Sequence, residues 1–119
     1  HDCVMDPWYG MGSGDMLEVA HMGLHVAQMT SQHGIRQCFD AVTVNAAKVF
    51  GLDGYGLEAG CDASFVVLQA RDPVEAIRLR ATRLKVYREG RLLAETPAAT
   101  AALHLADRPA ATAWMHPKH

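Results

Sequence analysis

No apolar run in this sequence approaches the ~20 residues that a membrane-spanning helix needs. No block or stripe of Lys and Arg breaks the balance of 11 basic against 13 acidic residues. The first absence argues against a helical membrane span. The second, with a formal net charge of -2, argues against a nucleic-acid or membrane-surface partner. Cysteine is scarce: Cys3, Cys38 and Cys61 are odd in number and widely spaced, so no disulfide framework is indicated and free thiols in a reducing compartment are expected. No signal-peptide pattern is visible, and a cytoplasmic location is the expectation.

What is present is 119 residues, 50% of them apolar, enough for one modest core. At the front lies His1-Asp2-Cys3-Val4-Met5-Asp6-Pro7-Trp8-Tyr9-Gly10, without helical or alternating apolar periodicity. Pro7 fixes its own φ and pushes Asp6 towards extended geometry, so the stretch reads as a loop leaving a strand. Acidic and aromatic groups on such a loop are where chemistry tends to sit. Asp6 is expected to fix the turn by accepting from nearby backbone N–H groups.

Further along, Asp15 with Glu18 three residues on is a reciprocal helix cap. From Met16 the stripe Val19, Ala20, Gly23 and Ala27, widened by Leu17, Leu24 and Val26, predicts a helix closing at His33-Gly34. A second helix is expected from about Cys38 to Phe50, with Val42, Ala46, Val49 and Phe50 on one face. Gly51, Gly54, Gly56 and Gly60 then mark a linker-like boundary. Ser64 to Gln69 predicts a buried strand. Asp72, Pro73 and Glu75 start a short helix reaching about Leu79. Arg83 to Arg88 and Arg91 to Glu95 flank Glu89-Gly90 as a hairpin. The tail from Thr96, rich in Ala, Thr and Pro, is expected to be mostly extended or irregular.

The run HD-x-V-x-DPWY, then DMLEVAHMGLHVAQM, VNAAKVFGL, YGLEAGCDASFVVLQA and LKVYREGRLLAE, resembles the bacterial cytosine deaminases of the amidohydrolase superfamily. GLEAGCDASFVVL alone is similar to the superfamily at large; the loop with HMGLH behind it narrows the resemblance to the cytosine deaminase branch. The resemblance implies an α/β chain: the C-terminal end of a (β/α)8 TIM barrel in residues 1–54 and part of a small β-sandwich in 55–119. Because such a barrel takes roughly 250 residues, the chain is expected to be a C-terminal fragment that needs the remainder of the enzyme. A homo-oligomer is expected when intact.

The same resemblance implies that Asp2 ends the eighth barrel strand, ligates a catalytic divalent metal (Zn or Fe) and takes part in proton transfer. Trp8 would help enclose a flat pyrimidine base. Cys3 stands where the family commonly has a second acid, HDD becoming HDC, beside the C5 edge of the substrate. A thiol there is smaller and less hydrated than a carboxylate, which favours a 5-methyl group. The implied activity is deamination of cytosine or a 5-substituted cytosine such as 5-methylcytosine, by metal-activated water with release of ammonia. Two alternatives stay open: another amino-substituted heterocycle such as a triazine or purine analogue, and a non-catalytic structural module. His21 and His25 have a spacing that can bind zinc, yet the family carries HMGLH on an outer helix, so a packing or surface role is expected. No Cys-x-x-Cys supports a His/Cys zinc site of the cytidine deaminase kind.

Overall fold

A computed structural model of the chain describes residues 4–8 and 10–108. In chain order it contains α1 (Met16–Val26), α2 (Gln32–Ala41), α3 (Val44–Val49), β1 (Phe65–Leu68), α4 (Pro73–Leu79), β2 (Arg83–Arg88) and β3 (Arg91–Glu95). The architecture is mixed α/β, with the strands in one antiparallel sheet ordered β1-β2-β3.

α1 begins where Asp15 accepts from Leu17 N at 2.7 Å. The reciprocal half of the cap runs through Ser13: Asp15 N donates to Ser13 Oγ at 3.3 Å, and that hydroxyl donates to Glu18. The buried face is Leu17, Ala20 and Leu24, while Val26 and Ala27 are exposed. The expected stripe was therefore displaced at its C-terminal end, because α1 ends at Val26. Gln28 takes φ 53°, and Met29 N bonds Leu24 O at 2.9 Å while Gln28 N bonds His25 O at 3.3 Å. This pair of bonds closes a helix with one left-handed residue, here glutamine in place of the glycine that would have announced it.

His33-Gly34 accordingly does not end a helix; it lies inside the next one. Ser31 Oγ accepts from Gly34 N at 3.0 Å and starts α2. Gly34 is buried, and a Cβ there would meet Met29 O at 2.7 Å. The expected single helix over Cys38–Phe50 is also interrupted. Thr43 takes φ -126°, ψ -99°, and its hydroxyl donates to Phe39 O at 2.7 Å. The consecutive β-branched residues Val42, Thr43 and Val44 favour such a break, the hydroxyl competing for a helical carbonyl. Ala47 is the buried residue of α3, whereas Val49 and Phe50 are exposed.

The short C-terminal elements match expectation more closely. Asp72 caps α4 by accepting from Glu75 N at 2.9 Å, with Pro73 opening the helix. Glu89 and Gly90 both have positive φ, 50° and 75°, the backbone that a two-residue hairpin turn with a right-handed twist requires. Phe65 stacks on Tyr87 across the β1–β2 pair at 4.9 Å. β1 is not buried, however: Phe65, Val66 and Val67 are 37%, 44% and 37% exposed. Among the described residues it is an edge strand paired with β2 alone, which is why apolar composition did not translate into burial. After β3 no further helix or strand occurs through residue 108, as expected of the tail; Gln69 holds it there by a donor and an acceptor bond to the Ala99 backbone.

The core joins the two ends of this arrangement. Leu17, Ala20 and Leu24 from α1 pack with Ala76 and Ile77 from α4 and with Ala81, and Met29, Ile35, Cys38, Phe39 and Leu68 border them. Gly34→Ala drives a methyl into the Met29 carbonyl and is expected to cost about 1–3 kcal/mol. Thermal denaturation checks this: the melting temperature should fall by several degrees, and an unchanged value would show that the α1–α2 crossing is loose.

Candidate functional site

The front loop is described at residues 4–8, where it forms bends without regular structure. Asp6 Oδ1 accepts from Trp8 N at 2.9 Å, the turn-fixing role expected of an Asp before Pro. That bond holds the Trp8 backbone, and the indole is 91% exposed. Asp2 and Cys3, the expected metal ligand and substrate neighbour, lie outside the described residues.

Behind the loop, α1 carries the two histidines of HMGLH. Their ring centroids are 4.8 Å apart with planes at 68°. His21 Nδ1 lies 3.1 Å from Ile77 O. A carbonyl only accepts, so Nδ1 carries the hydrogen. His21 thus has the packing role expected of it, joining α1 to the end of α4. Cys38 borders the core as a half-buried free thiol, and Cys61 is a half-buried free thiol in the loop before β1.

Two ion-pair clusters set the electrostatics. Asp15, besides capping α1, receives both terminal nitrogens of Arg83: Nη1 at 2.6 Å to Oδ2, and Nη2 to Oδ1. Glu75 is buried and accepts from Arg71 N at 2.8 Å, Arg71 Nε at 3.1 Å and Arg71 Nη2 at 2.9 Å; Arg78 lies 3.8 Å away. The Arg71 side-chain bonds, then its backbone N–H, hold the Glu75 carboxyl below its usual range against the opposing effect of burial. Neither partnership was foreseen. Asp15 and Arg83 are 68 residues apart, with no local pattern to link them. The Arg71–Glu75 pair did carry a signal, since a four-residue spacing beside a cap brings opposite charges together.

Among the described residues, no group of three or more His, Cys, Asp or Glu side chains could hold a metal ion. The described residues therefore do not by themselves fit a catalytic metal shell. Among them, too, no helix is long and apolar enough to cross a membrane.

Comparison with known proteins gives this arrangement its context. The family described as Amidohydrolase family matches residues 1–94. N-isopropylammelide isopropyl amidohydrolase from Pseudomonas sp. (strain ADP) is 30% identical over 101 residues, which are 84% of this chain and 25% of that protein. The crystal structure of 5-methylcytosine deaminase from Klebsiella pneumoniae with 5-fluorocytosine superposes with a TM-score of 0.76 at 34% identity, over 82% of this chain and 24% of that one. N-isopropylammelide isopropylaminohydrolase from Burkholderia multivorans ATCC 17616 gives 0.73 at 33%, over 77% and 24%. The chain thus spans about a quarter of the length of these relatives.

Glu75 supplies a pH test. A carboxylate whose folded pKa is lowered contributes stability that is complete above its unfolded value, about 4.3, and is lost as pH falls through the folded value. Glu75→Gln should therefore melt below the wild type near neutrality, and the gap should close as pH falls below that range. Melting curves from neutral to acid pH check it; a gap that stays constant means that Glu75 is not held by its ion pair.

Proposed function

Because the chain belongs to the amidohydrolase family, we propose that it is the C-terminal end of a hydrolase that deaminates cytosine or a 5-substituted cytosine such as 5-methylcytosine, releasing ammonia. The observation that carries this reading is the 34% identity to 5-methylcytosine deaminase, with a TM-score of 0.76, over 82% of the chain. The HD-x-V-x-DPWY loop at its front supports it. In this reading residues 1–54 belong to the end of a (β/α)8 barrel and residues 55–119 to a small β-sandwich.

Roles for the chain's own residues follow from their chemistry. Amidohydrolases are in general metal-dependent, and a divalent ion such as Zn or Fe would supply a Lewis acid that lowers the pKa of water. Asp2, a hard carboxylate donor at the loop's start, would contribute one ligand and accept a proton. Trp8 would lie against the planar ring and exclude water from it, its backbone fixed by Asp6. Cys3 would face the C5 edge, where a thiol leaves room for a methyl group and removes the cost of desolvating a charge against it.

A second reading is favoured by the two ammelide hydrolases among the relatives, at 30% and 33% identity: the substrate is then an amino-substituted triazine. Either enzyme would release ammonia or an amine by water attack on a ring carbon, and the pocket decides between them.

Steady-state kinetics of the enzyme that contains this chain, on cytosine and 5-methylcytosine, tests the proposal. The wild type should turn over 5-methylcytosine at least as well as cytosine. Asp2→Ala should retain less than a tenth of kcat/KM, a loss above ~1.4 kcal/mol, with the fold kept. Cys3→Asp should shift preference towards cytosine by about tenfold or more, the ~1–3 kcal/mol that one methyl is worth in an apolar pocket. Strong wild-type preference for cytosine, or an unchanged ratio in Cys3→Asp, would remove the role given to Cys3. Turnover of an amino-triazine without either pyrimidine would favour the second reading.

A further inference from the structure

We propose that His21 and His25 form a two-imidazole binding site on α1 for a first-row divalent metal ion such as Cu(II), Ni(II) or Zn(II), separate from the metal assigned above to Asp2. Two observations carry it independently. The first is spacing. Residues four apart share a helix face, and the two ring centroids are 4.8 Å apart. A metal–nitrogen bond of ~2.0–2.1 Å plus the distance from nitrogen to ring centre places a bound ion about 3.2 Å from each centroid. Two centroids at 4.8 Å would then subtend about 97° at an ion towards which both rings turn a nitrogen, between the ~90° of a square-planar and the ~109° of a tetrahedral site.

The second observation is the bond from His21 Nδ1 to the carbonyl of Ile77 at 3.1 Å. It puts a hydrogen on Nδ1 and leaves Nε2 as the ring nitrogen that would bind the metal. Histidine ligands in metal sites are oriented by such a bond from the other ring nitrogen to a carbonyl or carboxylate. Ile77 is fully buried, so the anchor is part of the core. His25 is exposed and gives solvent ions access. The remaining coordination positions would be taken by water. Bound metal would bridge one turn of α1 and stabilise the folded chain by mass action.

Zn(II) titration of the enzyme that contains this chain, its catalytic metal already in place, followed by long-range nitrogen NMR of the imidazoles, tests this. The chain has seven histidines, so the readout must be site-resolved. His21 Nε2 and one His25 ring nitrogen should shift together, and the melting temperature should rise with Zn(II). In His25→Gln, whose side chain is exposed and whose helix content should be unchanged, both the His21 shift and the Zn(II)-dependent rise should vanish. A His21 Nε2 signal that does not respond, or that responds equally in His25→Gln, overturns the site. So does a Zn(II)-dependent rise in melting temperature that survives in His25→Gln.

Discussion

Asp15 is the residue on which the arrangement of this chain turns. One carboxylate caps α1 through Leu17 N and binds both ends of the Arg83 guanidinium at the start of β2. The helix behind the front loop is thereby fixed to the sheet, and His21, six residues on, ties the same helix to α4 through the Ile77 carbonyl. Between these polar contacts lies the apolar contact of Leu17, Ala20 and Leu24 with Ala76, Ile77 and Ala81. A bidentate arginine–carboxylate pair is geometrically more demanding than an ordinary surface ion pair. It therefore specifies the orientation of α1, while burial supplies most of the stabilisation.

The parts of the fold that could be read from the sequence are those whose signals are local. Asp72-Pro73 places a cap and a compatible φ at the start of α4, and Glu89-Gly90 supplies two positive φ values for the hairpin. The helix breaks were hidden because residues without a strong signature make them. Gln28 takes the left-handed position that glycine usually marks, and Gly34, which looked like a terminator, is needed for a close approach to Met29. Likewise, composition cannot say whether an apolar strand lies inside a sheet or at its edge. β1 has the residues of a buried strand and the position of an edge.

The front loop follows the same division. Asp6 before Pro7 announced its turn, and the bond to Trp8 N is there. The amidohydrolase family, shown over residues 1–94, was legible in GLEAGCDASFVVL, a contiguous pattern more distinctive than any periodicity. Long-range partners such as Arg83 for Asp15 leave no such trace. They depend on how elements dozens of residues apart come to lie side by side, which spacing does not encode.

The account's central claim is that the Asp15–Arg83 pair is an energetic link between α1 and the sheet rather than an incidental surface contact. A double-mutant cycle on Asp15→Ala and Arg83→Ala, read by denaturant unfolding, measures it directly. The claim predicts a coupling above about 0.5 kcal/mol, because the residues share a contact. Single-mutant effects that add to the double-mutant value within about 0.3 kcal/mol, the behaviour of independent sites, would contradict it.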